Sequence, residues 1–555
     1  MDAETSRVTQ YTALGWWGTR TLYDQFSENV ERVPNRCALV DAPDRTNWTG
    51  GKPQRLDYQA LNAKVEQWSA YLHAEGIRRG DIVLTQLPNI HELVVLILAC
   101  FRVGAIISPV LVQFDQNELN QICDQLKPKL IVTTTWFKKR KLSATLQPIA
   151  DRLDASCWLC DEPSSFPDVN RGVNTADAAP KANDVATICW TSGTEGAPKG
   201  VMRTHNQWLA TGRLMAESSQ LREGDKLLNT RPLVNMAAIG GSLCSWLFCA
   251  GTLVLHHPLD IHLAVQQICS ERINVTFMPP AFIVSLLKDP DLRATADLSS
   301  LRVLGSGSAA IPDWAILEFE REFEVSLINF FGSNEGIGLV STASEIPNPL
   351  LRATLFPRFG VDGFEWPSVP TASEMITKLV DLETQSEITE PNVSGELRVQ
   401  GSTIFDRYFD SPETTEQAFD AQGFYRSGDL FEIAGEGELA KYYRFVGRCK
   451  EVIIRGGFNV APAELDNLLS EHPAITEVAA YGYPDDRLGE RIGVAAVVRN
   501  GLSLTLEDIK EYLRKRHVAV FKLPEHLLIL PQLPRNGLFK VLRRELTTIH
   551  KERAL

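Results

Sequence analysis

From Thr191 the chain reads T-S-G-T-E-G-A-P-K-G, denser in hydroxyls and glycines than a plain solvated turn needs. Glycines let backbone N–H groups approach an anion closely, hydroxyls add donors, and a lysine supplies a mobile positive charge. Thr191, Ser192, Gly193, Thr194 and Lys199 thus form a candidate polyphosphate cradle. It is not a Walker A loop, since no Gly-Lys pair is followed by Ser or Thr at the required spacing. Further on, Phe331-Gly332-Ser333-Asn334-Glu335-Gly336 sets one carboxylate beside a glycine turn, a hard oxygen ligand able to hold Mg²⁺ against phosphate oxygens. In Gly423-Phe424-Tyr425-Arg426-Ser427-Gly428-Asp429 the aspartate follows a glycine, and its two oxygens can accept from both hydroxyls of a ribose.

These boxes are spread over 555 residues, too long a chain for one compact core, so two or more domains are expected. An amphipathic helix opens at residues 56–61 and ends at Gly76; strand 82–87, helix 91–102 and strand 105–108 follow. The longest apolar stretch, 93–112, is broken by Arg102, Gly104 and Pro109, and reads as a buried helix and strand rather than a membrane span. This βαβ order implies a parallel sheet with helices on its faces, continuing through 130–134, 185–190 and 252–255. Strand 301–304 leads into Gly305-Ser306-Gly307-Ser308-Ala309-Ala310, which fits the dinucleotide pattern G-x-G-x-x-A, yet the next strand, 325–331, places no acid to take a ribose. Beyond Glu451 short strands alternate with two helices, one carrying Leu465, Leu468 and Leu469, the other opening at Thr505 with Asp508 three residues on. They predict a small α+β domain of about a hundred residues.

Composition narrows the field. A net charge of -13 argues against a nucleic-acid partner, which would need a basic face. The basic run Arg514-Lys515-Arg516-His517 is explained more simply as a cationic helix end. No basic region followed by an apolar core opens the chain, so no signal peptide is expected. Ten cysteines without a paired framework suit a reducing cytoplasm, and Cys157-x-x-Cys160 reads as strand core rather than half a zinc site.

The loop from Thr191 closely resembles the phosphate loop of adenylate-forming enzymes, the superfamily of acyl-CoA synthetases, adenylation domains and luciferases. Further boxes follow in that family's order, ending near Lys540. The resemblance implies a large N-terminal α/β domain with the adenylate-forming fold (1–449) and a small, mobile α+β C-terminal domain (450–555). It places Gly307 in a small-residue loop beside the adenine, with Phe331 stacking on the base, Asn334 near the nucleotide, and Glu335 as a catalytic and metal-binding carboxylate. Gly447-Arg448-Cys449-Lys450-Glu451 and Arg455-Gly456-Gly457-Phe458-Asn459 match closely. They imply that Arg448 contacts the ribose, Lys450 is the hinge, and Gly456, Gly457 and Phe458 line the thiol's approach. Gly395-Glu396-Leu397 and Gly401 fit a box whose role is folding. Lys540 sits in the box of the catalytic lysine, and Lys199 also joins the catalytic set. The chain departs from the family pattern at Phe331 (usually Tyr), Asn334 (Thr), Ser427 (Thr), Asn536 (Thr) and Phe539 (Gly).

Where the family often reads Pro-Leu-x-His, this chain has Pro232-Leu233-Val234-Asn235-Met236. Asn235 and Met236, followed by Ala237, Ala238 and Gly240, suggest an apolar, roomy acid pocket with one amide; core packing is an equally good reading. The overall text most resembles short- or medium-chain and alicyclic acyl-CoA ligases, a group that includes steroid-fragment ligases. The expected reaction is therefore ATP-dependent joining of a small carboxylic acid to coenzyme A, with Mg²⁺, in the cytoplasm. Loading of a carrier protein stays open, as do a homodimer and, remotely, an NAD-dependent oxidoreductase or an inactive binding protein.

Overall fold

The computed structural model describes residues 3–167, 179–191, 198–307, 311–449, 451–455, 458–485, 487–536 and 540–554. Two mixed sheets dominate. The first has six strands in the order Gly200–Thr204, Val185–Trp190, Ile106–Pro109, Ile82–Gln86, Leu130–Thr133, Ser156–Leu159, all parallel except the first. The second has eight, Gly338–Ser341, Ser326–Gly332, Val303–Gly307, Val275–Met278, Lys226–Asn229, Thr252–Leu255, Cys37–Val40 and Arg55–Asp57, antiparallel only at its two edges. The expectation of one continuous parallel sheet is thus corrected, because Thr252–Leu255 lies in the second sheet, between Lys226–Asn229 and Cys37–Val40, and not beside Val185–Trp190. Helix His91–Val103 is buried on nearly every side, as its unbroken apolar run requires.

A third sheet, of six antiparallel strands between Leu355–Pro357 and Tyr442–Arg448, was not anticipated from periodicity. Strand Ser394–Gly401 lies within it. Gly401 has φ +153°, and a Cβ there would collide with the carbonyl of Glu374, so the glycine is required for folding. From Ile453 onward a five-stranded sheet carries helices Pro462–Ser470 and Leu506–Lys515 around a core of its own that includes Ile453, Leu465, Val494 and Ile509. Thr505 and Asp508 cap the second helix reciprocally.

Candidate active site

Strands Val185–Trp190 and Gly200–Thr204 form a hairpin, closed where the Thr191 N–H donates to the carbonyl of Lys199 at 3.0 Å. Ser192, Gly193 and Thr194 lie outside the described residues. The Lys199 side chain is exposed, its ammonium 5.2 Å from the centre of the Tyr408 ring. Tyr408 in turn donates its hydroxyl to Glu335 Oε1 at 2.9 Å. Burial, and next the charge of Glu335, push the Tyr408 phenol up, so it stays a donor. Tyr408 therefore joins the cradle lysine to the candidate metal carboxylate. No sequence motif flags it, because the pairing spans a whole domain.

Glu335 is buried, and its turn rests on the loop that follows strand Ser394–Gly401: its carbonyl accepts from the Phe405 N–H at 2.8 Å. Asn334, expected at the nucleotide, makes two hydrogen bonds within the protein. Its Oδ1 accepts from the Met236 N–H at 2.9 Å and its Nδ2 donates to the Trp190 carbonyl at 3.4 Å, tying the phosphate hairpin to the acid-pocket segment. Arg203 lies fully buried behind this turn. It donates to Thr211 Oγ1 (2.7 Å), the Thr403 carbonyl (2.9 Å) and the Asn334 carbonyl (3.4 Å), and faces the Trp208 ring at 4.1 Å. Burial lowers its pKa to about 10, which leaves it charged at neutral pH. Phe331, proposed to stack on adenine, packs against Phe431 (4.8 Å between centroids), Phe445 (5.5 Å) and Phe356 (6.0 Å); being half-buried, it keeps part of its ring open.

Asp429 and Arg448 face each other on neighbouring strands, Oδ1 to Nε 3.4 Å. Burial raises Asp429 to about 6, against the opposing charges of Arg448 and Lys540. Lys540 is held down at about 8, first by burial and then by Arg448, while Glu451 and Asp429 oppose the shift. Three side chains distant in sequence are thus electrostatically coupled at one point. Asn536 Oδ1 accepts from the Lys540 N–H at 3.0 Å. Phe539, like Lys450, Gly456 and Gly457, lies outside the described residues; the backbone of Phe458 opens strand Phe458–Val460. Arg543 follows Lys540 and donates to the Ala480 carbonyl (2.5 Å), Asp466 (2.5 Å) and Glu451 (3.3 Å).

The acid-pocket segment begins with Asn235, whose Oδ1 caps a short helix by accepting from the Ala238 N–H at 3.3 Å. A π-helical stretch, Ile239–Cys244, follows directly, a distortion common at functional sites. Met236 is buried, its methyl lying over Gly332 and Gly338. Phe277 and Phe330, edge to face at 5.4 Å, fill the space beside Gly305, while Gly307 lies against the Phe330 carbonyl. Both glycines lie within strand Val303–Gly307 rather than in a strand-to-helix turn, which removes the structural basis of the dinucleotide reading. A Cβ at Gly307, expected beside the adenine, would meet the Phe330 backbone. Arg231 donates to the carbonyls of Gly307 (3.4 Å) and Met278 (3.5 Å), beside this pocket.

Among the described residues no three His, Cys, Asp or Glu side chains converge as a metal site, and no helix is long and apolar enough to cross a membrane. Glu335 would offer Mg²⁺ one buried carboxylate. That suffices, because Mg²⁺ commonly takes one or two carboxylates and completes its shell with waters and substrate phosphates. Cys157, in strand Ser156–Leu159, and Cys160, in the turn after it, are free, and burial pushes both thiols up.

The model for the AMP-binding enzyme family matches residues 26–409, and that for the AMP-binding enzyme C-terminal domain matches 464–540. The medium-chain fatty-acid–CoA ligase of Escherichia coli is 28% identical, covering 96% of this chain and 91% of its own. The salicyl-AMP ligase/salicyl-S-ArCP synthetase of Mycobacterium tuberculosis is 29% identical, covering 97% and 92%. The crystal structure of ATP-bound MatB from Rhodopseudomonas palustris aligns with a TM-score of 0.80 at 23% identity, over 97% of this chain and 100% of that one.

Proposed function

The chain belongs to the AMP-binding enzyme family, and on that premise we propose that it is an ATP-dependent carboxylic acid–CoA ligase. The substrate carboxylate attacks the α-phosphorus of ATP, pyrophosphate leaves, and an acyl-adenylate forms. The CoA thiolate then attacks the acyl carbon and AMP departs. The observation that carries this reading is the Asp429–Arg448 pair, 3.4 Å apart on neighbouring strands, with Lys540 within electrostatic reach of it. Asp429 accepts from the ribose hydroxyls with Arg448 beside it, and Lys540 stabilises the charge developing on the α-phosphate. The Thr191 loop and Lys199 hold the outer phosphates. Glu335, oriented by Tyr408, would hold Mg²⁺, which when bound neutralises the departing pyrophosphate.

In this reading 1–449 and 450–555 are the two bodies. Lys450 is the hinge, and Gly456, Gly457 and Phe458 line the thiol's path. The apolar surroundings of Met236, Phe277 and Phe330 suit a medium-chain, alicyclic or steroid-derived acid, with Asn235 Nδ2 left to meet a polar group. The enzyme works in the cytoplasm, its ten cysteines all free. A second reading, loading of a carrier protein, is favoured by the equally extensive match to the salicyl-AMP ligase. The test is pyrophosphate release from MgATP over straight-chain, aromatic, alicyclic and steroid-derived acids, with and without CoA. Sustained release only with CoA supports the ligase. Adenylate formation that CoA never accelerates points to the carrier protein, and no turnover with any acid overturns both.

A further inference from the structure

Residues 3–18 lie ahead of the stretch 26–409 shared with the family, and the chemistry proposed above makes no use of them. Helix Ala3–Ala13 leads into a turn in which the Trp16 and Trp17 N–H groups both donate to the Tyr11 carbonyl, at 2.9 and 3.2 Å. Tyr11 and Trp17 are buried edge to face, 5.0 Å between centroids. A chain terminus stays poorly ordered unless something ties it down. Here the polar ties gather on one loop, residues 402–408, which follows strand Ser394–Gly401.

The Trp17 indole N–H donates to the Ser402 carbonyl at 3.0 Å, a buried bond across 385 residues of chain. Arg7 pairs with Asp406 at 2.9 Å, and its guanidinium lies 5.4 Å from the centre of the Phe419 ring, which stacks on Phe405 at 5.4 Å. Asp406 also accepts from Gln207 at 2.8 Å. Arg213 donates to the Trp16 carbonyl (3.0 Å) and to Glu374 (2.9 Å), and Glu374 accepts from the Ser402 hydroxyl at 2.6 Å. At the far end Gly18 exchanges two hydrogen bonds with the Asn206 side chain, at 3.0 and 3.1 Å, in the helix that follows the phosphate hairpin.

That loop is the support of Glu335. It sets the Thr403 carbonyl against Gly336, the Phe405 N–H on the Glu335 carbonyl, and the Tyr408 hydroxyl on the Glu335 carboxylate at 2.9 Å. Tyr408 packs edge to face on Phe405 at 4.7 Å and meets the Lys199 ammonium with its ring. A terminus that only covered apolar surface would need no buried polar bonds to this backbone. We propose that residues 3–18 are a positioning clamp for the phosphate and Mg²⁺ site. Trp17 and Arg7 fix residues 402–408, so that the Tyr408 hydroxyl holds the Glu335 carboxylate in the orientation that Mg²⁺ needs. Both are positioning residues, acting through Tyr408. The proposal rests on the adenylation step of the reading above and is indifferent to the acceptor.

The test uses Trp17→Phe, which keeps an aromatic ring and removes the donor, and Arg7→Met, which keeps the length and removes the charge. Each is made alone and together with Tyr408→Phe. Mg²⁺-dependent ATP binding is measured by calorimetry and pyrophosphate release against Mg²⁺ concentration, with denaturation midpoints reporting that the variants are folded. Each single variant should weaken Mg²⁺-dependent ATP binding and raise the Mg²⁺ needed for half-maximal release, both by about tenfold. The KM for the acid stays unchanged, and Arg7→Lys recovers most of the loss. On top of Tyr408→Phe the same substitutions should cost less than about twofold more, because the group they position is gone. An unchanged Mg²⁺ dependence in both variants overturns the clamp. So do losses that multiply fully with that of Tyr408→Phe, since the segment would then serve the fold alone. A wild-type protein that binds MgATP yet releases no pyrophosphate with any acid overturns the adenylation reading, and the binding measurements then decide the clamp by themselves.

Discussion

Asp429 and Lys540 depart from ordinary carboxylate and ammonium behaviour in opposite directions, and both shifts begin with burial. In the proposed reaction the ribose needs Asp429 ionised, and the α-phosphate needs Lys540 protonated. Below about 6 the first condition is lost, and above about 8 the second. Plotted against pH, kcat/KM for ATP in pyrophosphate release should therefore rise and fall with limbs near these two values. Lys540→Arg, which stays charged at all accessible pH, should remove the alkaline limb while lowering the rate about tenfold or more through misplacement. An alkaline limb unmoved in that variant would show that another group titrates there. At this scale Glu335, Asp429 and Lys540 could be proposed from the sequence because each sits in a short local motif. Tyr408 and Arg203 could not, since what makes them matter is a partner in a distant segment.

Among the elements, glycines decide where loops and sheets may touch. Gly336 has φ +109°, and any Cβ there would collide with the Thr403 carbonyl, so the turn bearing Glu335 can lie against the loop that follows Ser394–Gly401 only with glycine. Gly336→Ala should destabilise the protein by about 2 kcal/mol or more, measured as a lowered denaturation midpoint, and should weaken MgATP binding by tilting Glu335. The helix Arg543–Ala554 poses a different question. Arg543 ties the segment following Lys540 to Asp466, Ala480 and Glu451, the last beside the proposed hinge. Arg543→Ala should slow adenylation about tenfold or more yet leave thioester formation from supplied acyl-adenylate unchanged, with Arg543→Lys intermediate. Equal losses in both half-reactions would mean that the arginine only maintains the fold. The capping box at Thr505 was visible in the sequence because both partners lie within one turn, whereas the Arg543 cluster gathers residues from three elements.

Across the whole molecule, the proposed chemistry needs two arrangements of 450–555 against 1–449, one presenting Lys540 and the other the thiol path. The described arrangement couples Lys540 to Asp429, which belongs to the first. Lys450→Pro fixes φ at the proposed hinge. It should leave pyrophosphate release in the absence of CoA within about threefold of normal while slowing acyl transfer to CoA about a hundredfold, as expected when a hinge can no longer absorb a large backbone change. Comparable rates for both steps in that variant would locate the hinge elsewhere.

The sequence by itself determined the local pieces: the hydroxyl-rich loop, the carboxylate in its glycine turn, the helix caps, most strand positions and the family, because each is written within a few consecutive residues. Only the tertiary structure decided how those pieces are shared. It divided the strands between two sheets, added a third whose antiparallel pairings bring Asp429 opposite Arg448, and made Asn334 a tie between two segments. Pairing, burial and charge coupling depend on separations in space that chain order does not encode locally. For the same reason the glycines of Val303–Gly307, which resemble a dinucleotide loop in one dimension, prove to be the room that two phenylalanine rings and a neighbouring carbonyl require.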